Sequence, residues 1–187
     1  MKLTLIAGSN RSGAASTRLL RHIEALLQTD PQVTVSFVDL LELPLPLFSP
    51  DSPEVHPNVL RVTEAIAAAD GLILATPEYH GSISGTLKNA LDYINGGQMA
   101  GKAVLSLSSA GGPLGVSSLS HLQSIVRNLH GVNCPEWISI GYGTNTFSPE
   151  GAPLDEGMRD RIQAAVGQFA ELVRMLTAPG RGALPTG

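Results

Sequence analysis

The chain has 187 residues and a formal net charge of −4, with 43% apolar and only 4% aromatic residues. A chain of this length fits one domain, which can bury roughly 70% of its unfolded surface. The absence of any basic block gives no support to a nucleic-acid or anionic-membrane partner. No run approaches the ~20 apolar residues of a membrane helix, and the single Cys134 cannot form an internal disulfide. We therefore expect a soluble, cytoplasmic protein.

Five β-rich runs alternate with helical patterns along the chain. The predicted strands are residues 2–8, 33–38, 71–76, 103–108 and 132–140. The first, third and fourth are continuously apolar, which is typical of parallel strands covered by helices on both faces. Apolar residues at i, i+3 and i+4 predict helices over residues 16–28, 58–69, 87–94, 116–129 and 155–176.

This alternation predicts a doubly wound α/β fold. Five strands in a chain of this size match the flavodoxin-like version, a five-stranded parallel sheet of order 2-1-3-4-5 with helices on both faces. We assign residues 1–177 to this single domain and residues 178–187, rich in Pro and Gly, to a mobile C-terminal tail. Residues 41–57 carry five prolines and read as a long surface excursion.

In an open α/β sheet, ligands bind outside the carboxyl ends of the strands, where the strand order reverses. For this order the reversal lies between the first and third strands. The loops that follow these two strands are therefore the candidate functional segments.

The loop after the first strand, residues 8–17, is rich in small and hydroxyl side chains. With Ser16 as the predicted N-cap, helix amides and the hydroxyls of Ser9, Ser16 and Thr17 would suit a phosphate. Arg11 could add a charge-assisted contact. An ordinary polar strand-to-helix loop fits the same residues. The loop matches neither the P-loop nor the dinucleotide fingerprint, which favours the terminal phosphate of a mononucleotide.

The segment after the third strand, residues 77–92, favours a flat ligand. Pro77 stiffens the exit from the strand, and Gly81 and Gly85 permit close backbone approach. Tyr79 offers an aromatic surface, and successive peptide N–H groups could meet the polar edge of an isoalloxazine ring. For His80 by itself, an ordinary loop residue is the better interpretation.

These two segments resemble the NADPH-dependent FMN reductase family, which includes quinone, chromate and azo-dye reductases. Its G-S-x-R element corresponds to residues 8–11, and its P-E-Y-x-x-S-x-x-G-x-L-K-N-A-x-D element to residues 77–92. The agreement in strand and helix order extends over about residues 2–176. Many members have Asn where this chain has His80, and some have Ser at the position of Ala14.

The resemblance implies an FMN site and names its residues. The phosphate would be held by Ser9, Arg11, Ser16 and Thr17. The isoalloxazine would be lined by Pro77, Glu78, Tyr79, His80 and Gly81, and by the small-residue loop after strand four, Ser109, Ala110, Gly111 and Gly112. No catalytic acid or base is assigned, and no His or Cys spacing indicates a metal site.

The function implied is two-electron transfer from NAD(P)H through bound FMN to a quinone-like or other small acceptor.

Family members form homodimers or homotetramers whose neighbouring subunit completes the flavin pocket, so Glu78 and residues 41–57 are candidate subunit contacts. One alternative uses FMN as a diffusible substrate that supplies a monooxygenase. Another is a one-electron carrier like a flavodoxin, although carriers have a more acidic surface than a charge of −4 indicates.

Overall fold

A computed structural model of the protein describes residues 1–52 and 55–178. The predicted mobile tail therefore lies outside the described residues from position 179 onward. The strands are β1 (Lys2–Ala7), β2 (Thr34–Asp39), β3 (Gly71–Pro77), β4 (Ala103–Ser109), β5 (Val132–Asn133) and β6 (Ile138–Ile140). The helices are α1 (Ala15–Leu27), α2 (Pro57–Ala67), α3 (Gly85–Asp92), α4 (Gly96–Met99), α5 (Val116–Asn128) and α6 (Glu156–Thr177). The short helix α4 was not predicted.

All strand pairs are parallel, and the order is β2-β1-β3-β4-β5, with β6 also paired to β4. This confirms the flavodoxin-like order expected from the sequence. β1 lies between β2 and β3. The sheet therefore extends from β1 in one direction through β2 and in the other direction through β3 and β4. The reversal of strand order falls between β1 and β3, as predicted.

The fifth predicted strand, residues 132–140, is wrong as one continuous element. It divides into β5 and β6, which pair with successive parts of β4. Pro135 lies in the gap, and a proline has no N–H group to donate to a sheet. Cys134, just before it, still donates its backbone N–H to Val104 O at 2.8 Å. Its side chain is buried, and burial raises the pKa of the thiol, which is consistent with a structural cysteine.

Two apolar clusters cover the two faces of the sheet. One joins the sheet to α1 and α6, and the other joins it to α2, α3 and α5. The fit is tight at Gly71, where an added Cβ would lie 2.5 Å from Val173 Cγ2. Helices thus cover both faces of the sheet, which leaves the carboxyl ends of the strands as the open edge.

Within the described residues, no helix is long and apolar enough to cross a membrane.

The proline-rich excursion is fastened to α3. The Asn89 side chain accepts a hydrogen bond from Phe48 N at 2.8 Å and donates one to Pro46 O at 2.8 Å. Tyr93 Oη donates to Pro46 O at 3.1 Å, and the Tyr93 ring meets the Phe48 ring edge-on, with centroids 5.1 Å apart. These contacts hold Pro46 and Phe48 against Asn89 and Tyr93, and we call residues 41–52 the arm. The described residues 41–52 and 55–56 contain no helix or strand.

Candidate functional site

The loops that follow β1 and β3 are joined directly where these strands end. Gly8 N donates to Ala75 O at 2.8 Å, and the Ser84 hydroxyl donates to Gly8 O. Ser84 also caps α3, because its hydroxyl accepts from Leu87 N at 3.0 Å. A Cβ on Gly8 would lie 2.7 Å from both Ala75 O and Leu87 Cβ. Only glycine therefore allows this close approach of the two loops.

The start of α1 differs from its prediction. Ser16 is not the N-cap: the helix begins at Ala15, and Ala14, at the cap position, makes no side-chain hydrogen bond to the first turn. Gly13, with a φ of +66°, turns the chain into the helix earlier than the position of Ser16 suggested. The side chain of Ser16 is instead buried at the second helical position.

The first-turn amides of α1 have no acceptor. In the part of the chain that the structure describes, Ala15, Ser16 and Thr17 donate their backbone N–H groups to nothing. The other helices do have a side-chain acceptor, supplied by His56 for α2, Ser84 for α3, Asn95 for α4, Glu78 for α5 and Asp155 for α6. Unpaired amides at the positive end of a helix dipole form an anion-binding arrangement.

The side chains around this turn suit a phosphate group. Arg11 is exposed and forms no ion pair with any described residue. Ser9 is buried, and its hydroxyl accepts from Arg11 N at 3.2 Å. The buried Ser16 hydroxyl finds no partner among the described residues, and an unmade hydrogen bond of this kind costs about 1–3 kcal/mol. Thr17 is half-buried beside it.

After β3 the chain makes a tight turn. Tyr79 and Ser82 exchange both backbone hydrogen bonds at 3.0 Å, and the central residues His80 and Gly81 have φ values of 52° and 74°. Two left-handed central residues define a type I′ turn. Asn and His tolerate this conformation better than most residues, so His80 is compatible with the turn. The amides of His80 and Gly81 have no acceptor among the described residues.

Pro77 and Glu78 connect this turn to the neighbouring strand and helix. Pro77 is buried at the end of β3, opposite Ser109. Glu78 N donates to Ser109 O at 2.7 Å, and Glu78 Oε2 accepts from Ser118 N of α5 at 2.9 Å. The carboxylate of Glu78 is thus engaged by α5 within its own chain.

The third loop reaches the same edge. Ser109 is buried and Ala110 half-buried, whereas Gly111 and Gly112 are exposed. An added Cβ at either glycine would meet no atom within 4 Å. Ala110 N donates to Ile140 O at 2.9 Å, and Gly112 O accepts from Tyr142 N at 2.9 Å. The structure therefore brings all three predicted loops to one edge of the sheet.

Sequence reasoning missed several residues at this edge. Ser84 could have been recognised as the N-cap that precedes the apolar stripe of α3. Tyr142, 81% exposed, follows β6 and so lies at the carboxyl end of a strand, where ligands bind. A cavity of about 310 Å³ adjoins Asn10 and is lined by Thr86 and Asn89 of α3 and by Leu40 and Leu47.

Within the described residues, no group of three or more His, Cys, Asp or Glu side chains could hold a metal ion.

Comparisons with known proteins show the family of this chain. Residues 1–145 match the NADPH-dependent FMN reductase family. An FMN-dependent NADPH-azoreductase of Staphylococcus haemolyticus is 36% identical over 162 residues, which cover 84% of this chain and 82% of the relative. One from Staphylococcus aureus strain USA300 is 37% identical over 144 residues, which cover 74% and 76%.

Solved structures show the same fold. An NAD(P)H:(acceptor) oxidoreductase of Paracoccus denitrificans superposes with a TM-score of 0.78 at 21% identity, covering 93% of this chain and 97% of that one. Flavodoxin 1 from Bacillus cereus superposes with a TM-score of 0.61 at 17% identity, covering 91% and 98%. The chain belongs to the NADPH-dependent FMN reductase family and is an FMN-dependent NAD(P)H oxidoreductase.

Proposed function

We propose that this chain holds FMN across the ends of β1, β3 and β4 and uses it to reduce a flat aromatic acceptor with electrons from NAD(P)H. The observation that carries the proposal is the unpaired first turn of α1, located where the strand order reverses. Every other described helix is supplied with a side-chain acceptor, so this turn is left open for an anion.

The phosphate would be bound by the amides of Ala15, Ser16 and Thr17. Arg11 contributes the positive charge, because its guanidinium has no competing carboxylate among the described residues. The hydroxyls of Ser9, Ser16 and Thr17 complete the donor set. A helix terminus, a free guanidinium and hydroxyls together favour a phosphate monoester.

The turn from Tyr79 to Ser82 would face the ring. The amides of His80 and Gly81, which have no acceptor among the described residues, would donate to the carbonyl and nitrogen edge of the isoalloxazine and would stabilise developing negative charge there. Bound FMN would supply the redox chemistry, which is two-electron transfer from the reduced nicotinamide to an acceptor. Tyr79 presents an exposed aromatic face. In the loop from Ser109 to Gly112, there is open space around Gly111 and Gly112.

Exposed apolar side chains favour an aromatic acceptor. The side chains that follow β3, β4 and β6 include Tyr79 at 46% exposure, Leu114 at 59% and Tyr142 at 81%. Loops after neighbouring parallel strands share one edge, so these side chains flank the proposed ring site. Such surfaces attract planar apolar molecules, and the named relatives are azoreductases. We infer a quinone or azo compound rather than a small inorganic anion.

The test is NADPH oxidation by the purified protein. Protein reconstituted with FMN and freed of excess flavin by gel filtration should oxidise NADPH rapidly only when a quinone or azo dye is added. The apoprotein supplies the control. If flavin is not retained, or is retained without acceptor-dependent NADPH oxidation, the proposed function is wrong. Oxidation that depends on added free FMN would instead indicate a diffusible flavin substrate.

We further propose that the protein is a cytoplasmic homo-oligomer. The buried Cys134 has no second cysteine to pair with, which suits a reducing compartment. The arm presents Leu47 at 85% exposure, between Pro46 and Phe48, which are both hydrogen-bonded to Asn89. An exposed apolar side chain on a segment that is already held in place favours an interface with a second copy.

Leu47→Asp should weaken this self-association by about tenfold or more, because a buried leucine contributes about 1.5–3 kcal/mol. Sedimentation velocity over a concentration series measures the effect. Leu154→Asp is the matched control, since Leu154 is also exposed, at 59%, but lies outside the arm. Unchanged association of the Leu47 variant would show that the arm forms no interface.

A further inference from the structure

Helix α5 begins without a cap of its own. Its N-cap residue is Gly115, which has no side chain to accept from the first-turn amides. A larger residue does not fit there, because a Cβ on Gly115 would lie 2.8 Å from Ser108 Oγ. A helix of 13 residues nevertheless leaves its first amides without intrahelical partners. A side-chain acceptor for this helix can therefore come only from outside its own N-cap.

Glu78 supplies that acceptor from 40 residues away. Its Oε2 atom accepts from Ser118 N at 2.9 Å, and its negative charge lies at the positive end of the helix dipole. The backbone of Glu78 is held as well, through the hydrogen bond from its N–H to Ser109 O at 2.7 Å. Glu78 directly precedes the type I′ turn, so its two hydrogen bonds fix the entrance of the turn.

A second tie fixes the exit of the turn. Ser82 Oγ and His121 Nδ1 are hydrogen-bonded at 3.0 Å, and His121 lies about one helical turn beyond Ser118. Between these ties, a Cβ on Gly81 would lie 3.9 Å from Ser117 Cβ. The whole turn therefore rests along the first turns of α5.

We propose that Glu78 is a positioning residue for the flavin ring, acting through its cap on α5. The left-handed conformation of His80, which unlike Gly81 carries a side chain, persists only where its surroundings over-determine it. The cap and the Ser82–His121 bond provide that constraint. They orient the backbone N–H groups of His80 and Gly81 towards the proposed ring site. This inference rests on the proposed FMN site, and it assigns the side chain of Glu78 to α5 rather than to the cofactor.

The test compares Glu78→Ala with Glu78→Gln and Asp155→Ala. Asp155 is a matched control, because its carboxylate also caps a long helix, accepting from Met158 N at 2.7 Å. Both alanine variants should lower Tm. Only Glu78→Ala should raise the Kd for FMN, by about five- to tenfold, the fold-change expected when one cap is lost. Glu78→Gln keeps an oxygen acceptor of the same length and should restore the Kd to within about threefold of wild type.

His121→Ala is a second variant on an exposed side chain; it should raise the Kd by about threefold with an unchanged Tm. It tests the same constraint if Glu78→Ala does not fold. Glu78→Ala and His121→Ala proteins that both bind FMN as tightly as wild type would overturn the inference, because the cap would then be purely structural. Failure of the wild-type protein to bind FMN would instead reject the proposed site.

Discussion

Gly8→Ala is expected to lower the free energy of unfolding by about 2–3 kcal/mol, the cost of overpacking a closely packed position. The added methyl group would lie 2.7 Å from Ala75 O and 2.7 Å from Leu87 Cβ. The first belongs to the backbone of β3 and the second to a fully buried side chain of α3, so neither can rotate away. Relief of the clash requires that the first loop and α3 separate.

Thermal unfolding measures this effect, with an expected fall in Tm of about 5–10 °C for a chain of this size. FMN affinity should fall together with stability, because the hydrogen bond from Ser84 to Gly8 O joins the two loops. Gly167→Ala is the control: Gly167 is exposed in α6, and an added Cβ meets nothing within 4 Å. That variant should gain about 0.5–1 kcal/mol from better helix propensity. A Gly8→Ala protein as stable as wild type would contradict the tight junction.

Arg11→Gln is expected to weaken FMN binding by about 10- to 100-fold, the loss of one charge-assisted hydrogen bond to a phosphate. The guanidinium of Arg11 has no other ionic partner in the described parts of the chain, so the effect on Tm of the apoprotein should be small. Affinity is measured by the quenching of flavin fluorescence on binding.

Riboflavin separates the phosphate contact from the ring contacts. Because riboflavin lacks the phosphate, Arg11→Gln should leave its affinity unchanged, and the preference of the protein for FMN over riboflavin should shrink by the same 10- to 100-fold. Arg61→Gln is the control, since Arg61 is exposed on α2 and also has no ion pair. Equal losses of FMN and riboflavin affinity in the Arg11 variant would show that Arg11 does not contact the phosphate.

Much of the fold follows from local patterns in the sequence. The apolar runs that became β1, β3 and β4 are each buried along nearly their whole length, and alternation with amphipathic helices was enough to predict the parallel order. The prediction of the fifth strand failed because its local apolar pattern conflicts with the hydrogen-bond pairing that a continuous strand requires. Residues 132–140 look like one β-rich run, but Pro135 lacks the donor that a continuous strand would need there.

The sequence by itself determined the fold and the three loops at the open edge, because hydrophobic periodicity and turn residues act between near neighbours. The family followed from the resemblance of residues 8–11 and 77–92 to the motifs of its members. Only the tertiary structure decided which contacts each loop residue makes. Ser16 has a buried hydroxyl with no partner among the described residues and is not a cap, and Glu78 meets its partner on α5 across 40 residues. Such contacts depend on how separate elements pack, and no local pattern records which distant amide a carboxylate will reach.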